Sequence, residues 1–197
     1  MARPKDQRER RHDLVRAAMR AITAHGAAGL KIRDVAAEAG LSPALVSYYY
    51  PRLDDLLLDV HAHVVQRFYT ARRAAIETLD DPVAQLRELA RRGVPGHDEI
   101  SPVIYEMHLH AARNRPHAAL MTSLWEQEVS LYERVLSRGE ASGVFTLRAP
   151  ARTVAETVVA LEDAVGLHLA GHNAALPAEH ARDLVAGLLE RETGQHF

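Results

Sequence analysis

Leu30-Lys31-Ile32-Arg33-Asp34-Val35-Ala36-Ala37-Glu38-Ala39-Gly40-Leu41-Ser42-Pro43-Ala44-Leu45-Val46-Ser47-Tyr48-Tyr49-Tyr50 is the stretch of this 197-residue chain that decides its fold. Val35, Ala36 and Ala39 recur at helical spacing and give residues 32–39 one apolar face. Gly40 can take the left-handed backbone that a tight turn demands. Ser42 can then accept an orphan amide hydrogen bond, and Pro43 suits a first helical position where no backbone donor is needed. A further short helix therefore starts at Pro43 and runs to Tyr49, where Pro51 disfavours continuation. Two short helices around a glycine turn form a helix-turn-helix, whose second helix is narrow enough to enter a major groove.

Working outward, Leu14, Val15, Ala18, Met19 and Ile22 place an apolar stripe on a helix over 8–25, with Arg16 and Arg20 outside it and Gly26 and Gly29 ending it. On the other side a long helix is expected from near Leu53, where Asp54 and Asp55 suit the positive end of the dipole, to the break at Asp80-Asp81-Pro82. The domain boundary falls inside that helix. Further helices are expected over 82–92, 99–114, 117–141, 150–172 and 177–192, punctuated by Pro95-Gly96, Asn114-Arg115-Pro116, Gly143, Pro150 and Pro177. Strand-like alternation, internal repeats and low-complexity tracts are absent from the sequence. The reading is an all-α fold of about nine helices, with an N-terminal three-helix domain carrying the helix-turn-helix over 8–60 and a helical C-terminal domain over 61–197.

Charge is distributed in the same two parts. The net charge of -2 divides into +5 over residues 1–52 and -7 over the remainder. A basic head on an acidic body is expected where only the head meets phosphates, and Arg3, Lys5, Arg8, Arg10 and Arg11 could extend it toward a backbone or minor groove. The chain has no cysteine, which removes disulfides and thiolate metal sites and fits a reducing compartment. Neither a secretory signal nor an apolar run long enough to span a bilayer is read, so a soluble cytoplasmic protein is expected, with no membrane partner.

Residues 30–50 closely resemble the DNA-binding signature of the TetR family of transcriptional regulators. The likeness by motif covers about residues 8–60. Beyond it the helix count and Leu161-Glu162-Asp163-Ala164-Val165-Gly166-Leu167 are similar to family members related to the betaine-responsive repressor. The resemblance implies a repressor that binds a palindromic double-stranded DNA operator as a dimer and is released by a small-molecule effector. It places Lys31 and Arg33 near phosphates and turns Ser42, Pro43, Ala44, Ser47 and Tyr48 to the groove beside Tyr49, with Val46 and Tyr50 packed inward. Two positions depart from the family pattern: Ser47 stands where many members have tyrosine, and Leu53 where a phosphate-contacting lysine is usual. Arg52 is the available substitute for that lysine. The homodimer would pair the helices over 150–172 and 177–192, through a stripe of Val154, Val158, Leu161, Val165 and Leu169 and another around Leu184 and Leu188.

In the C-terminal domain Trp125, Glu128 and Tyr132 can share one helical face, and Tyr105 and His108 another, giving the mixed aromatic and polar lining that a small-ligand site uses. The twelve histidines raise a metal reading. His61 and His63, like His108 and His110, are spaced by two, so their rings diverge on a helix; His168 and His172 can share a face, and His97-Asp98 stands alone. No spacing fixes a third ligand, so neither metal nor cofactor is expected. A glycine-rich phosphate loop, a nucleophile elbow and a specific acid-base pair are all missing, which argues against an enzyme. A helical protein-binding adaptor is the alternative, and it differs from a DNA reader in lacking steep salt dependence.

Overall fold

The computed structural model describes the backbone of residues 4–96, 100–112 and 114–196, with side chains from residue 7 onward. Arg3, the side chain of Lys5, and His97-Asp98 lie outside the described residues. Among the described residues there are nine helices and no strand: α1 (Pro4–His25), α2 (Ile32–Ala39), α3 (Pro43–Tyr49), α4 (Leu53–Glu77), α5 (Pro82–Gly93), α6 (Ser101–Ala111), α7 (Arg115–Ala141), α8 (Ala151–Ala170) and α9 (Ala178–Thr193). α1 starts four residues before the expected 8, because apolar periodicity marks only its buried part while Lys, Gln, Arg and Glu extend a helix without packing. α7 likewise begins at Arg115, with Pro116 in the first turn, where the missing N–H costs nothing.

The chain divides into two compact units. The first holds residues 1–67 and 102–121, and so contains α1 to α3, the first part of α4, nearly all of α6 and the start of α7. Leu14, Ala18 and Ile22 of α1, Val35 of α2, Val46 of α3, Leu56, Val60 and Val64 of α4 and Met107 of α6 are buried at its core. Gly26 ends α1 in a left-handed conformation, at φ +73°. The next residue, Ala27, donates its N–H to Glu106 Oε2 at 3.0 Å, which ties the turn to α6.

The second unit holds residues 68–101 and 122–197. Its core joins Leu86 and Leu89 of α5, Val129 and Leu136 of α7, Val154, Val158 and Val165 of α8, and Val185 and Leu189 of α9. Asp81 caps α5 by accepting from the backbone of Val83 at 3.3 Å and Ala84 at 2.9 Å. The stripe read on α8 thus supplies the unit's own core through three valines, while Leu161, Leu169 and Leu188 are only partly buried against it. Leu167 and Leu184 stay exposed, at 51% and 39%. No described helix is long and apolar enough to cross a membrane.

Candidate functional site

In the first unit the helix-turn-helix is built from local rules outward. Asp34 accepts from the backbone of Lys31 at 2.8 Å and starts α2. Gly40 closes it at φ +65°, and Leu41 donates to Ala36 O across the turn. Ser42 Oγ accepts from Leu45 N at 3.2 Å, with Pro43 in the first turn of α3. These bonds supply partners that the helix ends lack.

α3 is anchored by its inner face. Val46 and Tyr50 are buried, and the Tyr50 hydroxyl donates to Asp59 of α4 at 2.7 Å. Arg11 of α1 reaches the same carboxylate at 3.0 Å and lies over the Tyr50 ring, 4.3 Å from its centroid. Burial, then the bond to Asp59, pushes the Tyr50 phenol up, so it remains a neutral donor. α1 and α4 thereby hold the residue that caps α3.

The outer face is open. Ser42, Pro43, Ala44 and Ser47 are exposed, Tyr48 is 70% exposed, and half-buried Tyr49 braces it edge-on at 5.2 Å between ring centroids. Lys31, Arg33 and Arg52 are exposed around this face. Arg33 and Arg52 each lie near one carboxylate, half-buried Asp34 at 3.7 Å and exposed Asp54 at 3.4 Å. Such pairs are weak and exchange readily for a phosphate.

The histidines also gather in this unit. His61 Nδ1 lies 3.0 Å from His117 Nδ1, and the His110 ring packs edge-on against His117 at 4.6 Å. Tyr105 stacks on His108, whose Nδ1–H donates to Ile104 O at 2.8 Å. The Nε2 atoms of His61, His108, His110 and His117 are buried with no hydrogen-bond partner among the described residues. Burial, reinforced by repulsion from the neighbouring imidazoles, lowers the His61 pKa to about 4. Rings that diverge along one helix thus converge between helices, a relation that spacing within a helix does not reveal. Among the described residues no three or more side chains are arranged to hold a metal ion.

In the second unit the polar centre is Arg72 of α4, which is buried. Its Nη1 pairs with Glu128 and with Glu162 Oε2 at 3.0 Å. Its Nη2 donates to Glu162 Oε1 at 3.2 Å, Tyr132 Oη at 3.2 Å and Leu89 O at 3.1 Å. Tyr132 in turn donates to Glu162. Burial opposes the Arg72 charge, but Glu162 and Glu128 outweigh it and keep the guanidinium ionised. Burial also pushes Glu128 up to about 8 despite Arg72, and raises Glu162 as well. Arg72 Nε is buried and has no hydrogen-bond partner among the described residues.

Arg72 also lines a cavity of about 540 Å³ in this unit, with Phe68, Ala71, Val94 and Ile100 as its apolar wall. Arg91, Arg92, Gly96 and Arg182 also line it among the described residues. Of the residues expected at a ligand site, Glu128 and Tyr132 are thus brought together as the supports of Arg72. Trp125 packs partly buried against the unit's core, and Tyr105 and His108 belong to the first unit. Arg72 and Glu162 were missed by sequence reasoning, although a signal exists: Arg72 follows Phe68 by four, and Glu162 follows Val158 by four, so both charges stand on apolar faces.

Residues 14–60 match the model of the family described as bacterial regulatory proteins, tetR family. The HTH-type transcriptional regulator BetI of Brucella canis is 34% identical over 73 residues, which cover 37% of this chain and 37% of that protein. The chain therefore spans little more than a third of the length of the curated relatives it matches. Over nearly the whole chain it is similar to a TetR transcription regulator from Haloarcula marismortui, with a TM-score of 0.83, 25% identity, and coverage of 96% of this chain and 99% of that one. A Saccharomonospora viridis protein solved in complex with choline gives a TM-score of 0.85 at 22% identity, covering 94% of this chain and 97% of that one.

Proposed function

We propose that this chain, a member of the TetR family of bacterial regulatory proteins, is a cytoplasmic repressor that binds a two-fold symmetric DNA operator as a homodimer and releases it when a small-molecule effector binds. The observation that carries this reading is α3 itself, fixed to α1 and α4 through Tyr50, Asp59 and Arg11 while Tyr48 and its neighbours stay bare. Ser42, Pro43, Ala44, Ser47, Tyr48 and Tyr49 read the groove, and Lys31, Arg33 and Arg52 meet phosphates. One helix-turn-helix offers a small contact area, so two copies reading half-sites about 34 Å apart supply the affinity. Exposed Leu167 of α8 and Leu184 of α9, with the half-buried leucines around them, supply the apolar surface for the homodimer.

The effector enters the cavity beside Arg72, and the solved neighbour with choline supports a small molecule in that role. α4 is the link, because its 53–67 part carries Asp59 beneath α3 and its later part carries Arg72. An effector that favours the DNA-incompetent arrangement by roughly 1 to 3 kcal/mol shifts the equilibrium enough to release a promoter. Fluorescence anisotropy with operator DNA at two salt concentrations tests the reading. Affinity that falls steeply with salt is expected, and salt-insensitive binding would indicate a protein-binding adaptor instead.

A further inference from the structure

The chemistry of α3 narrows what it can recognise on DNA, an inference that rests on the DNA-reading function above. Residues 42–50 contain no Arg, Lys, His, Asn, Gln, Asp or Glu. The side chains that grip a base edge through two hydrogen bonds of fixed direction are therefore missing from this helix. Its hydroxyls do not replace them. A serine or tyrosine O–H rotates to donate or accept, so it fits either kind of group on a base edge. Two of the hydroxyls also serve the fold: Ser42 Oγ accepts from Leu45 N at 3.2 Å, and Tyr50 donates to Asp59 at 2.7 Å.

What the outer face offers instead is apolar. Of the five large hydrophobic side chains exposed among the described residues, two, Leu45 and Tyr48, stand on α3. They are three residues apart, and exposed Ala44 lies one turn before Tyr48, so the three share one side of the helix. Exposed Pro43 continues that surface into the first turn. Tyr49 packs edge-on against the Tyr48 ring, while buried Val46 and Tyr50 anchor the helix from beneath. The apolar face is thus held outward, and covering it removes apolar surface from water. On the major-groove edges of the bases the matching apolar group is the C5-methyl of thymine.

We infer that α3 recognises its half-site through thymine C5-methyl groups, received by Ala44, Leu45 and the ring of Tyr48, rather than through hydrogen bonds to base edges. The neighbouring cations Lys31, Arg33 and Arg52 stand outside α3 and are left to the phosphates. The ligand is accordingly a two-fold symmetric duplex with thymine beneath α3 in each half-site. One buried methyl contributes roughly fourfold in binding, and two-fold symmetry applies that factor twice.

Uracil differs from thymine only in lacking this methyl, so exchanging the two leaves base pairing, phosphates and the minor-groove edge unchanged. The duplex that the full chain enriches from a random pool is resynthesised with deoxyuridine at each thymine in turn, at symmetric positions in both half-sites, and titrated by fluorescence anisotropy. At least one symmetric exchange is expected to weaken binding tenfold or more. Exchange of adenine or guanine for its 7-deaza analogue removes the N7 acceptor and keeps every methyl, and is expected to cost less than threefold. Tyr48→Phe keeps the ring without the hydroxyl and should retain the uracil penalty. Leu45→Ala or Tyr48→Ala, the latter titrated at lower salt to strengthen its binding, should reduce that penalty below threefold, with unfolding curves showing both variants folded. Uracil tolerated within threefold at every position, a larger penalty from the 7-deaza exchanges, or the same uracil penalty in both alanine variants would overturn the inference and leave a DNA reader in place. Failure to enrich any duplex contradicts the DNA-reading function itself, and the inference with it.

Discussion

Gly93 leaves the space through which Glu162 reaches Arg72: a Cβ on Gly93 would stand 1.7 Å from Glu162 Oε1. A glycine at the end of α5 is thereby explained by the packing of a carboxylate from α8. Gly93 does not adopt a positive φ, so backbone conformation does not require it. In an ordinary helix, replacing it by alanine stabilises by about 1 kcal/mol. Here Glu162 must swing away and desert both guanidinium nitrogens, which costs on the order of 3 kcal/mol for a broken buried pair. Gly93→Ala is therefore expected to destabilise by about 2 kcal/mol in urea unfolding. On a Glu162→Ala background the same change should be neutral or stabilising. A stabilising Gly93→Ala in the otherwise unchanged chain would contradict this packing.

The bare face of α3 makes a separable prediction. Tyr48 is 70% exposed and its removal opens no core. Tyr48→Ala is expected to change stability by less than about 0.5 kcal/mol, as surface substitutions do, and to lower operator affinity at least tenfold. Unfolding curves and anisotropy titrations on one preparation check both parts, and unchanged affinity would mean that α3 does not read DNA.

Ser42 tests the cap. Ser42→Ala removes the acceptor for Leu45 N and should cost about 1 kcal/mol. Ser42→Asp restores the cap, so stability should return, while its charge beside phosphates keeps DNA affinity low. Recovery of both properties together would show that Ser42 lies away from the backbone of the DNA.

The imidazole cluster makes stability depend on acid. His61 titrates at about 4 in the folded chain against an ordinary 6.5, first because it is buried and then because His117, His108 and His110 repel its charge. The unfolded chain takes up the proton below about 6.5 and the folded chain only near 4. The contribution is thus fully present above 6.5 and is lost as pH falls through that window, on the order of 2 to 3 kcal/mol in all. The melting temperature should drop between pH 7 and pH 5 and should drop less in His61→Gln. Equal slopes in the two proteins would contradict the assignment.

The order of helices was legible because each carries a local signal. Gly40, Ser42 and Pro43 announce a turn, a cap and a start, and the structure places them so. The first turn of α1 was not legible, because exposed polar residues continue a helix without apolar periodicity. Ligand-site reasoning favoured aromatic residues on shared helical faces and so named Glu128 and Tyr132, which the structure brings together around Arg72. It passed over Arg72 and Glu162, whose meaning depends on pairing across 90 residues. The convergence of His61 with His117 is tertiary in the same way, 56 residues apart.

Selection of bound sequences from a random duplex pool by the full chain tests whether a pair of α3 helices reads a symmetric DNA site. The expected result is an enriched motif with two-fold symmetry and half-sites about one helical turn apart, lost when Tyr48→Ala is used in its place. Failure to enrich any motif, or enrichment of the same motif by Tyr48→Ala, would contradict it.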